Sequence, residues 1–168
     1  MKHSLEAIKE KVDELANKIN APTNLLPSYG QQNWDAHPYI EVDNLGFMFF
    51  INSERGEEIE RKMTNKIDEL LYWIFSWVTF SMASIYEVNN RIEDKDCRRI
   101  IFHKQEELLG VLNPIWQEKE NERHKGVLSS YPFDDLAGLR ATYCRHLRQQ
   151  GLLEAEINKL AYAKYPEN

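Results

Sequence analysis

Residues 67–90 read IDELLYWIFSWVTFSMASIYEVNN, and this stretch decides the fold. Apolar residues recur in it at helical spacing, namely Ile67, Leu70, Leu71, Ile74, Val78, Ile85 and Val88. Aromatic residues fill the other faces of its middle, namely Trp73, Phe75, Trp77 and Phe80. A helix that is apolar on every side is buried among other elements. The pattern therefore predicts a central helix that the rest of the chain surrounds.

The same stretch does not have the pattern of a membrane span. Residues 70–86 carry no charge, but a span needs about 20 predominantly apolar residues. Serine and threonine side chains interrupt the stretch, and Trp73 and Trp77 lie in its middle, whereas tryptophan in membrane helices is enriched at the interfaces. We therefore interpret the stretch as a core helix.

Size and composition are those of an ordinary globular protein. The chain has 168 residues, which predicts one domain over residues 1–168. Its net charge of −6 argues against a general nucleic-acid-binding protein. Cys97 and Cys144 form no CxxC pair, and the charged amphipathic N-terminal segment does not look like a signal peptide. We expect a cytoplasmic protein with reduced thiols.

The remaining pattern predicts an α+β fold that is mostly helical. A first helix begins after Ser4 and ends near Ile19, and an irregular segment covers residues 22–38. Short apolar or alternating runs at residues 39–42, 47–51 and 57–63 predict a β-hairpin or a three-stranded antiparallel sheet. Counting those after the central helix, we expect about six helices.

One later helix has an unusual composition. Asn113-Pro114 is typical of a helix start, and the segment that follows is almost wholly polar up to Gly126. It predicts a solvated helix that ends at Gly126, on which Glu120 and His124 form a surface salt link.

The sequence has no recognised motif for catalysis or metal binding. The five histidines lack the usual zinc-ligand spacings, and neither cysteine has the local signature of a catalytic thiol. The nearest candidate for a metal site is His103 with Glu106 or Glu107, a pairing that is frequent by chance. We therefore predict no catalytic residues, no metal and no cofactor.

Several segments of the sequence resemble the immunity protein 63 family, whose members are thought to protect bacteria against polymorphic toxins. The resemblance lies in NLLPSYG (24–30), PYIEV (38–42), ERGE (54–57), DELLYWIF (68–75), TFSMA (79–83) and RRI (98–100). It covers about the first two thirds of the chain and does not extend to the Pro114 helix or the last two helices. It implies a non-catalytic inhibitor that binds a cognate toxin domain.

No binding residues follow from the resemblance, so the predicted partner site rests on the physics of interfaces. Interfaces favour aromatic and arginine anchors surrounded by charged residues. The loop and the predicted sheet offer the anchors Tyr29, Trp34, Tyr39 and Arg55, with the acids Asp35, Glu41, Asp43, Glu57 and Glu58 beside them.

Two alternatives remain open from the sequence. One is a different protein-interaction module, such as a regulatory adaptor, and the other is a small metal-dependent hydrolase with a non-standard site. A homodimer is also open, because the central helix has more apolar faces than a small layer easily covers.

Overall fold

The computed structural model describes residues 3–33 and 36–167 and has the predicted α+β architecture. Its helices are α1 (Leu5–Lys18), α2 (Ile67–Asn89), α3 (Arg98–Leu112), α4 (Pro114–Ser130), α5 (Ala137–Gln149) and α6 (Glu154–Lys164). Its strands are β1 (Ser28–Tyr29), β2 (Tyr39–Val42), β3 (Met48–Glu54) and β4 (Glu57–Thr64). Ser4 caps α1 as expected, since its hydroxyl accepts a hydrogen bond from Ala7 N at 3.1 Å.

The sheet has four strands in the order β1-β2-β3-β4, one more than the larger of the two predicted sheets. The three predicted strands form the antiparallel part, and β1 pairs in parallel with β2. β1 is only two residues long and lies between Pro27 and Gly30, so it shows no alternation to read. It is recognisable only from its backbone hydrogen bonds. Ser28 N donates to Pro38 O at 3.1 Å, and Gly30 N donates to Ile40 O at 2.8 Å.

The two faces of the sheet have different surroundings. On the inner face, Ile40, Met48 and Phe50 are buried in one cluster with residues of α1 and α2. Because side chains alternate along a strand, Tyr39, Phe49 and Arg61 point to the opposite, outer face. On that face Tyr39 and Phe49 remain partly exposed, whereas Ile51 is fully buried.

The central helix is not surrounded on every side, contrary to the sequence prediction. Leu70, Ile74 and Phe75 in its first half are buried, but Phe80 is 43% exposed and Val88 65% exposed. A 23-residue helix is about 35 Å long, whereas a seven-residue strand such as β3 spans only about 24 Å. The second half of α2 therefore extends beyond the sheet. Within residues 3–33 and 36–167, no helix is long and apolar enough to cross a membrane.

Helix α4 is not the solvated helix that its composition predicts. It continues through Gly126 to Ser130, and its residues Trp116, Glu120 and His124 are buried against the rest of the protein. These three residues recur at intervals of four, so they form one inward-facing stripe of an aromatic residue and two polar residues.

The last two helices form a hairpin with its own small apolar cluster. Leu147, Ile157 and Ala161 are buried there but do not belong to the main core cluster. Arg140 fastens the hairpin, because its guanidinium donates to Tyr165 O at 2.7 Å and to Asp134 at 2.6 Å.

Replacing Arg140 by alanine should loosen this hairpin. Hydrogen bonds that involve a charged group contribute about 1.5–3 kcal/mol each, so we expect local opening to become about 2 kcal/mol easier. Cleavage by a protease near Gly151 should then be about thirtyfold faster. Arg145→Ala is the matched control, since Arg145 is exposed on the same helix. Equal cleavage rates for the two variants would contradict the role of Arg140.

Candidate protein-interaction site

The outer face of the sheet carries a cluster of aromatic, apolar and charged side chains that solvent reaches. Its two rows across the strands are Tyr39–Ile51–Arg61 and Glu41–Phe49–Met63, with Glu58 opposite Ser53. Ile51 and Ser53 are buried beneath their neighbours, and the other members are at least partly exposed. We call this surface the outer sheet face and define it by Tyr39, Glu41, Phe49, Glu58, Arg61 and Met63. Met63 is 58% exposed and adds an apolar side chain to this face.

Arg61 organises the outer sheet face. Its Nε donates to Glu58 at 2.8 Å, a second nitrogen lies 3.3 Å from Glu41, and its guanidinium carbon lies 5.3 Å from the centre of the Phe49 ring. The hydrogen bond from Arg61 lowers the pKa of Glu58. Partial burial raises the pKa of Tyr39, and the neighbouring Glu41 raises it further. Two carboxylates and an aromatic ring thus hold the guanidinium in one orientation.

A β-bulge brings Glu58 onto this face. The pairing of β3 with β4 shifts register between Asn52 and Ser53, so that Asn52 pairs with Glu60 and Ser53 with Glu58. Strict alternation would place Glu58 and Arg61 on opposite faces, because they are three residues apart. The extra residue in the bulge turns Glu58 to the side of Arg61.

The structure brings three of the predicted partner-binding residues together and separates others. Tyr39, Glu41 and Glu58 surround Arg61 on the outer sheet face. Asp43 lies in the turn after β2, where its carboxylate accepts hydrogen bonds from Leu45 N at 2.9 Å and Phe47 N at 2.8 Å. At the other end of β3, Arg55 lies in the exposed turn between β3 and β4, and Glu57 is the exposed first residue of β4.

The predicted residues from the loop have a different placement. Tyr29 packs against the main core, and its hydroxyl is buried without a hydrogen-bond partner among the described residues. Burial raises the pKa of Tyr29. Its side chain therefore offers little surface to a partner. Trp34 and Asp35 lie outside the described residues, and their predicted role remains a prediction.

A second surface lies on the inner side of the free edge of β4. It is a cleft with a volume of about 610 Å³ between β4, α2 and α4. We call it the aromatic cleft, and its lining includes Phe50, Tyr72, Trp73, Trp77 and Phe80 with the charged residues Glu60, Lys62, Lys119 and Arg123. Lys62 is paired with Glu60 at 2.8 Å, whereas Lys119 makes no ion pair within the described chain and lies 4.0 Å from the Tyr72 ring centre.

Beneath the cleft lies a buried carboxylate, Glu120, which has no exposed surface. Its Oε2 accepts hydrogen bonds from the hydroxyls of Tyr72 and Ser76, both at 2.7 Å, and its Oε1 accepts from Arg123 Nε at 2.7 Å. Burial alone would raise the pKa of Glu120, but hydrogen bonds from His124, Arg123, Ser76 and Tyr72 outweigh it and lower the pKa to about 2. Burial and the neighbouring carboxylate raise the pKa of Tyr72 to about 12.

His124 extends this buried network toward α3. Its Nδ1 lies 2.6 Å from Glu106 and its Nε2 lies 3.1 Å from Gln105, while its ring stacks on Phe102 at 3.8 Å. The predicted pairing of Glu120 with His124 is present, with 3.4 Å between Glu120 Oε1 and His124 Nε2, but its predicted place on the surface was wrong because both residues are buried.

The named metal site is not assembled in this arrangement. Glu106 contacts His124 and Asn121, whereas His103 is exposed. Over residues 3–33 and 36–167, no group of three or more histidine, cysteine, aspartate or glutamate side chains is placed to hold a metal ion. The polar groups of the buried network face one another, so the network joins α2, α3 and α4.

The central part of the chain matches a known protein family. The family model described as Immunity protein 63 matches residues 43–126, which is half of the chain. The chain belongs to the immunity protein 63 family. The matched region of this immunity protein begins just before β3 and ends within α4, and it contains Arg61, the aromatic cleft and the network around Glu120. No curated protein and no solved structure matches the chain.

The match confirms the family and shifts the limits of the resemblance. The segments at residues 24–30 and 38–42 lie before the matched region, whereas most of α4 lies inside it. The polar composition of α4 gave no indication that this helix belongs to the family region, since a buried polar network and a solvated surface use the same residue types. The family consists of immunity proteins, which implies a non-catalytic protein that binds another protein.

Proposed function

We propose that this immunity protein binds the toxin domain encoded beside it and neutralises it as a one-to-one inhibitor, using the outer sheet face. The proposal joins family membership to one structural observation, the Arg61 guanidinium held between Glu58 and Glu41 above the Phe49 ring.

The outer sheet face has the chemistry of an interface before any partner is bound. Arginine and aromatic side chains contribute most of the binding energy in protein interfaces, and Arg61 lies among Tyr39 and Phe49. Because ion pairs already fix Arg61, less conformational entropy is lost when a partner binds. These features support the use of this face in recognition.

The charge around the face favours a basic partner surface. Glu41 and Glu58 lie on the face itself, and further acids lie in or beside the two turns at the ends of β3, namely Asp43, Glu54 and Glu57. Arg55 and Arg61 are the basic residues among them, so the surroundings are acidic overall. An acidic surface accelerates association with a basic partner and disfavours acidic ones.

Neutralisation is tested in cells and with purified proteins. Cells that express the toxin domain encoded immediately upstream should stop growing, and co-expression of this protein should restore growth. Isothermal titration of the same domain should give one binding site per chain. Normal growth without this protein, or no binding by the folded protein, would reject the proposal in favour of another interaction module.

A further inference from the structure

The edge of the sheet at β4 is free in the described chain. β4 is the last strand of the order β1-β2-β3-β4 and is eight residues long. Apart from its ladder with β3, residues 57–63 make no backbone–backbone hydrogen bond within residues 3–33 and 36–167. A free edge presents unpaired N–H and C=O groups that a further strand can pair with.

The aromatic cleft runs along the inner side of this edge and has the opposite charge to the protein as a whole. Its lining contains three basic residues, Lys62, Lys119 and Arg123, and one acidic residue, Glu60. The chain as a whole has a net charge of −6. Glu60 is already paired with Lys62, and Arg123 with the buried Glu120. The ammonium group of Lys119, without an ion pair within the described chain, is therefore available to a carboxylate.

We infer that the toxin domain supplies an extended segment that pairs with β4 as a fifth strand and places an acidic side chain in the aromatic cleft beside Lys119. This inference rests on the proposed function and specifies how the partner is held. Main-chain hydrogen bonds along the edge would supply affinity, and the cleft would supply specificity.

A second copy of the chain fits this edge poorly. Two β4 strands related by a two-fold axis place one residue opposite itself, and at the centre of the strand that residue is Glu60, Arg61 or Lys62. Like charges directly opposite each other destabilise a strand pair. The edge therefore disfavours self-pairing while leaving its backbone groups open to a different strand.

The two sides of β4 also set the side-chain pattern of the partner. Successive residues of an added strand point to opposite faces of the sheet. Those on the inner side would meet Lys119 and the aromatic rings, which suit acidic and aromatic residues. Those on the outer side would meet Glu58 and Met63, which suit basic and apolar residues. The expected segment alternates between these two types.

Hydrogen exchange tests the strand pairing directly. The full chain is compared alone and in complex with the purified upstream toxin domain, followed by mass spectrometry of the peptide that covers residues 57–64. Since alternate amides of an edge strand point outward, about half of the amides in β4 should exchange at least tenfold more slowly in the complex. A stable complex without new protection of β4 would overturn the inference and leave the proposed function standing.

A charge reversal tests the occupant of the cleft. Lys119→Glu should weaken binding of the toxin domain about tenfold, and Lys119→Gln should give an intermediate loss. Lys159→Glu is the matched control, because Lys159 is exposed on α6, outside the matched family region, and the change in net charge is the same. Equal affinities for the Lys119→Glu and Lys159→Glu variants would reject the acidic occupant. Absence of any complex with the unmodified protein would reject the proposed function and this inference with it.

Discussion

Replacement of Glu120 by alanine should lower the free energy of unfolding by about 3–5 kcal/mol. The carboxylate is fully buried and accepts hydrogen bonds from Tyr72, Ser76 and Arg123. Its removal leaves these donors without their acceptor and leaves a cavity between α2 and α4. Urea unfolding measures the loss as a lower midpoint with an unchanged slope.

The same helix provides the control for this prediction. Glu122 pairs with Lys125 at the same spacing of three residues as Glu120 with Arg123, but both partners are exposed. A surface ion pair contributes about 0–1 kcal/mol, so Glu122→Ala should be nearly neutral. If both variants lost the same small amount, the buried network would not stabilise the packing of α4.

The acid limb of the stability curve gives a second measurement on Glu120. Its pKa falls from an ordinary value of 4.5 to about 2 in the folded protein. A lowered pKa contributes stability above the unfolded-state value, and this contribution is lost as the pH falls from about 5 to 2. The shift corresponds to about 3 kcal/mol, to order of magnitude. Glu120→Gln should therefore be less stable at pH 7 and should lose less stability over that range. If the unmodified protein and the Glu120→Gln variant lost stability equally between about pH 5 and pH 2, the lowered pKa of Glu120 would be contradicted.

Periodicity predicted the elements of this fold where one face of an element is buried. The first and central helices follow from their apolar stripes, and the three longer strands follow from short apolar or alternating runs. β1 was not predicted, because two residues define no period. The exposure of the second half of α2 was not predicted either, because an apolar side chain such as Phe80 has the same sequence pattern whether it is buried or exposed.

The candidate site was predictable only in part, for two local reasons. Tyr39 and Glu41 follow from alternation in β2, but the bulge that turns Glu58 toward Arg61 leaves no mark in the sequence. Alternation along residues 57–63 places Arg61 on the same side of the strand as Met63, and this was the signal in the sequence that could have identified Arg61 as an anchor. The buried network was not predictable, because the stripe of Trp116, Glu120 and His124 on α4 contains one apolar and two polar residues, and a solvated helix shows the same pattern.

Replacement of Arg61 by alanine should weaken binding of the toxin domain at least thirtyfold, which corresponds to about 2 kcal/mol or more. The truncation removes the anchor itself and frees Glu41 and Glu58, which would then have to be ordered again when the partner binds. The protein itself should lose no more than about 1 kcal/mol of stability, because the ion pairs of Arg61 are partly exposed. Isothermal titration measures the affinity, and survival of toxin-expressing cells measures the protection.

Two further variants separate an anchor from a surface charge. Arg148→Ala removes an exposed arginine that is likewise hydrogen-bonded to a carboxylate, that of Glu154, but lies on α5 outside the matched family region. It should bind the toxin domain with unchanged affinity. Arg61→Lys keeps the charge but cannot contact both Glu58 and Glu41 through one planar fork, so its affinity should lie between those of Arg61→Ala and the unmodified protein.

If Arg61→Ala bound as tightly as Arg148→Ala, the toxin would have to contact another surface, and the aromatic cleft would be the next to examine. A loss shared equally by Arg61→Ala and Arg61→Lys would instead show that geometry, rather than charge, carries the recognition.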